Sequence, residues 1–235
     1  MDGLLSLLTE QVDKELLAAT HELKVISNMA VGYDNVDVAE ATRRGIVVGN
    51  TPGVLTETTA DLTFALLLAA GRRIAEADSY IRQGKWQTWD PMTLLGQDIH
   101  DATLGIVGLG RIGVEVAKRA LGFNMKVLYH DTSRNTKIEQ QLGIEYVPTL
   151  TALLSQSDFV TIHVPLTSDT HHMIGPAQFA AMKPNAILVN AARGQLVDQR
   201  ALYQALKEHR ITGAAIDVTE VEPIPMDDPL LSLDN

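Results

Sequence analysis

Residues 103–123 read TLGIVGLGRIGVEVAKRALGF, an apolar strand, a glycine turn and an amphipathic helix in one run. Gly108, Gly110 and Gly113 fall in the pattern G-x-G-x-x-G. On its own that pattern is weak, and a glycine-rich turn without a ligand reads the same way. Here it follows a strand, opens a helix, and is succeeded by a second strand ending in Asp131, at about the 20-residue spacing that a dinucleotide-binding βαβ unit requires. Each glycine has its own reason: Gly108 for a tight turn, Gly110 for backbone approach to a pyrophosphate, Gly113 for close helix–strand packing. The helix N-terminus adds free N–H groups and a positive dipole end. Asp131 can accept from both hydroxyls of an adenosine ribose, and its charge would repel a 2′-phosphate. That favours NAD, while Arg134 keeps NADP open.

Working outward, short apolar strands alternate with helices almost from end to end. Strands are expected at 3–5, 24–27, 46–49, 102–107, 126–131, 159–164, 186–190 and 214–218. Helices are expected from near residue 9, at 37–44, as one long element over 56–83, and at 112–121, 136–142, 151–155, 176–182 and 198–209. Residues 84–96, with Trp86, Trp89 and Pro91, read as a loop or arm. Strands such as GIV and AILV suit a parallel sheet buried on both faces, so the fold class is a doubly wound α/β architecture. Two windings are visible, divided near residues 50–56.

Composition narrows the function. The chain has 235 residues, 46% hydrophobic and 20% charged, as a folded globular protein does. Its longest strictly apolar run, residues 64–70, is far short of the roughly 20 residues of a bilayer span. No basic segment leads into an apolar stretch at the N-terminus, so no signal peptide is read. Cysteine is absent, which removes disulfides, thiolate metal sites and cysteine nucleophiles and fits a reducing cytoplasm. With 29 acidic against 19 basic residues there is no positive stripe, and neither a nucleic-acid nor a membrane partner is expected. Arg43-Arg44 and Arg72-Arg73 read as solvated helix ends. His171-His172 is a tempting metal pair, but sequence neighbours should point apart and no carboxylate spacing supports them, so no metal site is expected. His130 and His163 read as packed or surface residues.

Six segments resemble the D-isomer-specific 2-hydroxyacid dehydrogenases: SNMAVGYDNVD at 27–37, GNTPGVLTETTADLTFALLLAAGRR at 49–73, GLGRIG at 108–113, VPLT at 164–167, NAARGQLVD at 190–198 and AAIDVTEVEP at 214–223. They run in family order, and the second and first are most similar to those of glyoxylate/hydroxypyruvate reductases. The resemblance implies a Rossmann NAD-binding domain over 54–235, including a hinge helix and dimerisation arm at about 56–100. It also implies an incomplete flavodoxin-like α/β substrate domain over 1–53. By resemblance, the Val31 and Gly32 amides hold a substrate carboxylate, and Thr59 lies near the hinge against cofactor and substrate. Arg111 and Ile112 give amides to the pyrophosphate, Val164 and Ala191 line the cofactor groove, and Asp217 meets the nicotinamide carboxamide. Arg193 grips the carboxylate and polarises the keto oxygen. Glu222 is the carboxylate that pairs with the family's catalytic histidine.

That histidine is expected some 18 or 19 residues beyond Glu222, and none of the seven histidines stands in that frame. The expectation is therefore a fragment, short at both ends, of an NAD(P)-dependent reductase converting a small 2-oxo acid to the D-2-hydroxy acid, poorly active as it stands. The complete protein is expected to form a twofold homodimer. The alternative is a nucleotide-sensing scaffold similar to the C-terminal-binding-protein corepressors, or a pseudoenzyme without turnover.

Overall fold

Aspartates set the helix starts early in the chain. In the computed structural model, which describes residues 1–235, Asp13 accepts a hydrogen bond from Leu16 N (2.9 Å) and opens α1 (Lys14–Ala19). Asp37 accepts from Glu40 N (2.9 Å) and opens α2 (Val38–Arg43). The expected start near residue 9 is thus too early. Residues 7–10 instead form a turn, held by Glu10 on Leu7 N and by the Asn35 amide on the Leu7 and Glu10 carbonyls. These helices alternate with β1 (Gly3–Ser6), β2 (Val25–Asn28) and β3 (Val47–Gly49), paired in parallel in that order. One face of the sheet packs on Val12, Leu17, Ala41 and Ile46. The other exposes Leu5, Val25 and Val47, so this sheet is covered on one side only. Arg43 and Arg44 both grip Glu40, so that pair closes α2 by ion pairing and is more than a solvated end.

The chain divides into two compact units, Met1–Thr56 and Glu57–Asn235; the expected division fell after residue 53. The second unit opens with α3 (Thr56–Gly71) and α4 (Ile74–Arg82), where one helix was expected. The break has a tertiary cause. Gly71 is packed closely, since a Cβ there would stand 3.2 Å from the Ile99 and Phe159 side chains, and its carbonyl accepts from Gln97 N (2.7 Å). Arg73 then takes a left-handed φ of 52° and pairs with Glu76, so Arg72-Arg73 is a helix junction. No helix is long and apolar enough to cross a membrane.

The rest of this unit is β4 (Thr103–Val107), α5 (Arg111–Leu121), β5 (Lys126–His130), α6 (Thr136–Leu142), β6 (Glu145–Tyr146), α7 (Leu150–Gln156), β7 (Phe159–Ile162), α8 (Pro176–Ala181), β8 (Ile187–Asn190), α9 (Gln199–Lys207) and β9 (Gly213–Ile216). The edge strand β6 is two residues long and carried no apolar pattern to announce it. All six strands are parallel, in the order β6-β5-β4-β7-β8-β9. Successive residues serve opposite faces: Ile106, Val127, Tyr129 and Val189 pack under α3 and α5, whereas Val107, Leu128, Ile162 and Leu188 pack under α7, α8 and α9. Strand order reverses between β4 and β7. In an open parallel sheet that is where a crevice opens beyond the carboxyl ends of the strands.

Candidate functional site

The glycine turn sits at that reversal. Gly108, just past β4, has φ +94°, and a Cβ there would stand 2.7 Å from His163 O and 2.8 Å from Val164 Cγ1. Both the backbone angle and the neighbouring β7 strand exclude a side chain. A Cβ on Gly113 would collide with the Gly108 carbonyl. The fold therefore explains these two glycines. Neither packing nor backbone angle requires Gly110, whose φ of −75° suits any residue and whose Cβ would meet nothing within 4 Å. Gly110 precedes α5, whose first turn has no side-chain cap and no acidic residue. Open space in front of uncapped N–H groups of Arg111 and Ile112 fits a pyrophosphate.

Around the turn, Asp131 follows β5 and accepts from Leu109 N (2.8 Å) and from Ser133 N and Thr132 Oγ1 (both 3.2 Å). Its carboxylate thus braces the turn and retains acceptor capacity. Val164 and Ala191 are half-buried beyond β7 and β8. Thr59 lies in α3, its carbonyl accepting from Thr63 Oγ1 (2.8 Å).

His163 lies against the same turn. Its surface is partly exposed, yet the protein around the ring lowers its pKa to about 4. The unfolded chain binds this proton below about pH 6.5 and the folded chain does not until about 4, so stability falls as pH drops through that window. Discounting for partial exposure, about 2 kcal/mol should be lost between pH 6.5 and 4.5. Glu40 and Glu139, held below their ordinary 4.5 by arginine hydrogen bonds, lose their contributions only at lower pH. Thermal melts of His163→Gln should therefore be flatter than wild type between pH 4.5 and 6.5; parallel slopes would refute the assignment.

After β8, Asn190 organises the turn that carries Arg193. Its Nδ2 donates to Arg193 O (2.8 Å), its Oδ1 accepts from Ala192 N (3.1 Å), and its carbonyl accepts from Asp217 N (3.0 Å). Arg193 itself donates from Nη1 to Ala192 O (2.8 Å). Gly194 packs directly on the backbone of Thr219 and Glu220. Thus Arg193 and the loop bearing Asp217 and Glu222 form one piece of structure. Glu222 accepts from Thr219 N (3.1 Å) and, with Asp217, lines a cavity of about 570 Å³ whose other walls include Ile216 and Leu230. Arg193 does not line that cavity.

One expectation about histidines is corrected here. His171 and His172 do not point apart; their ring centroids are 4.0 Å apart, because His172 adopts a left-handed φ of 52°. Glu220 Oε1 lies 2.7 Å from His172 Nε2 while also accepting from Gln199 N (3.0 Å). Sequence offered no signal for this pair, which lies across two loops.

In the first unit, the Val31 and Gly32 carbonyls accept from the Asn50 and Asn28 side-chain amides at 2.8 and 2.9 Å. Asn28 is buried and also bonded to Ser6 and Asn35. With both carbonyls engaged, the turn is fixed in place. Sequence reading missed both asparagines, although they lie within the family-like segments.

Residues 64–235 match the family profile "D-isomer specific 2-hydroxyacid dehydrogenase, NAD binding domain". The chain belongs to this family. A glyoxylate reductase of Korarchaeum cryptofilum is 60% identical over 235 residues, covering 100% of this chain and 70% of the relative. Among solved structures, an NADPH-dependent glyoxylate/hydroxypyruvate reductase from Sinorhizobium meliloti, in complex with NADP and malonate, superposes with TM-score 0.87 at 36% identity, covering 100% of this chain and 71% of the other. The D-lactate dehydrogenase of Aquifex aeolicus, complexed with NAD and lactic acid, gives 0.90 at 31%, covering 100% and 74%. As a member of the family, the chain is a Rossmann-type oxidoreductase built on an NAD-binding domain.

Proposed function

We propose that this chain serves the NADH-dependent reduction of glyoxylate or hydroxypyruvate to the D-2-hydroxy acid. The observation that carries the cofactor assignment is the open side of Gly110, a glycine that neither packing nor backbone angle requires and whose missing side chain leaves room for a ligand. The glyoxylate reductase relative supports the substrate class. A bound nicotinamide supplies the hydride. The amides of Arg111 and Ile112 hold the pyrophosphate and Asp131 the ribose hydroxyls. Thr59, Val164 and Ala191 line the groove, and Asp217 accepts from the carboxamide. Arg193, a planar fork of donors, binds the carboxylate and polarises the adjacent keto oxygen. In the first unit, the Val31–Gly32 turn offers N–H groups to a carboxylate. Trp86 and Trp89, exposed on the arm, support a twofold dimer.

The proton is the weak point. Glu222 bonds to Thr219 N, and none of the chain's histidines stands in the family frame for an acid. In this proposal the 235 residues bind both ligands but turn over about 10²–10⁴-fold more slowly than an enzyme with its general acid. The test is to titrate the chain with NADH by fluorescence, then with oxamate, and to follow NADH oxidation with glyoxylate. Arg193→Lys should weaken oxamate about tenfold while leaving NADH affinity intact. A chain that binds no NADH would overturn the cofactor reading. NADH binding that is indifferent to oxamate and glyoxylate would overturn the reductase reading and leave a nucleotide-sensing scaffold.

A further inference from the structure

Beside Asp131, the cation that could serve a 2′-phosphate is already engaged. Arg134 donates from Nε to Glu139 Oε1 (2.9 Å) and from Nη2 to Glu139 Oε2 (2.8 Å), a two-pronged pair. The carboxylate is not a floating surface group. Its side chain is only 12% exposed, against 58% for Arg134. It also accepts from the hydroxyl of Tyr129 (2.7 Å), a fully buried residue of β5, and that hydroxyl in turn accepts from Asn135 N (2.8 Å). Asn135 caps α6 by accepting from Ile138 N (3.2 Å). The Arg134 guanidinium further lies 5.6 Å from the centroid of the Tyr146 ring, whose hydroxyl reaches the Asp131 carbonyl at 3.5 Å. Glu139 is therefore fixed by the sheet, and it fixes Arg134 in turn. Exposed ion pairs are worth little in general, but a two-pronged pair with one partner enclosed and hydrogen-bonded has the geometry of the exceptions.

We infer that Glu139 is a specificity-determining positioning residue: by clamping Arg134 against Tyr146 it withholds the cation that a 2′-phosphate needs and selects NADH over NADPH. The inference rests on the proposed dinucleotide site and goes beyond it. Asp131 repels the phosphate directly, while Glu139 acts through Arg134 and never touches the cofactor. Sequence alone left Arg134 as the argument for NADP. The structure reverses its meaning, because a guanidinium paired with a carboxylate offers little net charge to a second anion.

The test is equilibrium binding of NADH and NADPH, by fluorescence, to wild type and three variants. Glu139→Gln keeps an acceptor for Tyr129 but removes the charge. It should tighten NADPH about tenfold, the size of one charge-assisted contact, and leave NADH within about twofold. Adding Arg134→Ala to it should erase the gain. If the gain survives without Arg134, another cation such as Lys137 is responsible and the inference fails. Arg134→Ala alone, at an exposed position that folding tolerates, should leave NADPH as weak as in wild type. Weakening there would mean that Arg134 already serves the phosphate, which also overturns the inference. Wild type that binds neither nucleotide would instead bring down the dinucleotide site itself, a result distinct from both.

Discussion

Gly110→Ala is expected to fold normally and to bind NADH about a hundredfold more weakly, the loss of one or two charge-assisted hydrogen bonds to phosphate. The asymmetry comes from what surrounds the residue. Nothing lies within 4 Å of the position its Cβ would occupy, and a φ of −75° carries no strain for alanine. Alanine is a poorer residue than glycine before a helix, so a loss of up to about 1 kcal/mol and a few degrees in Tm is the most that folding should register. The added methyl points into the space in front of α5, and a pyrophosphate drawn to the N–H groups there must move away from them. Gly108→Ala should do the opposite. Its φ of +94° and the His163 carbonyl at 2.7 Å make the methyl a clash between backbones, costing about 3–5 kcal/mol and some 10 °C in Tm. Melting curves and NADH titrations on the two variants separate a glycine kept for a ligand from one kept for the fold. Wild-type NADH affinity in Gly110→Ala would remove the phosphate from this turn.

How much of this was readable beforehand depends on whether the cause was local. The strand, turn and helix over 103–121 are legible because periodicity, glycine spacing and the following strand agree. The crevice follows from the strand alternation, since two outward runs from β4 and β7 reverse the order of the sheet. The break after Gly71 is not legible: TFALLLAAGRRIAEAD contains one glycine among strong helix formers, and the interruption comes from Phe159, Ile99 and Gln97, far away in sequence. The start of α1 is not legible, because Thr9 and Asp13 are both good caps and Asn35 decides between them by holding residues 7–10 in a turn. Within the site, Gly108, Gly110 and Asp131 could be named from physics. Arg193 and Glu222 needed the family frame, because an Arg-Gly after a strand and a glutamate in an acidic loop carry no signal of their own. The Arg134–Glu139 clamp was hidden because its spacing of five belongs to no helical pair rule and its anchor, Tyr129, reads as a core aromatic.

Gly194→Ala is expected to be about as damaging as Gly108→Ala, and for a purely steric reason. A Cβ at this position would overlap the Thr219 carbonyl and stand 2.5 Å from Glu220 N, so both neighbours are backbone and no rotamer change relieves the contact. Either the Arg193 turn or the loop from Asp217 to Glu222 must move. Neither moves alone, since Asn190 bonds to both and Gln195 Nε2 donates to Glu220 O (3.0 Å). A loss of about 4 kcal/mol, or roughly 8–16 °C in Tm for a unit of this size, is expected. Gln195→Ala, which gives up one hydrogen bond, should cost about 1 kcal/mol. The functional consequence separates this variant from an ordinary core defect. Below the melting transition, Gly194→Ala should still bind NADH within a few-fold through the Gly108–Gly113 turn but weaken oxamate by at least the roughly tenfold expected of Arg193→Lys, because Arg193 has been carried off its position. If oxamate binds normally to the folded variant, the carboxylate is held elsewhere, and Arg193 is a residue of the turn without a substrate.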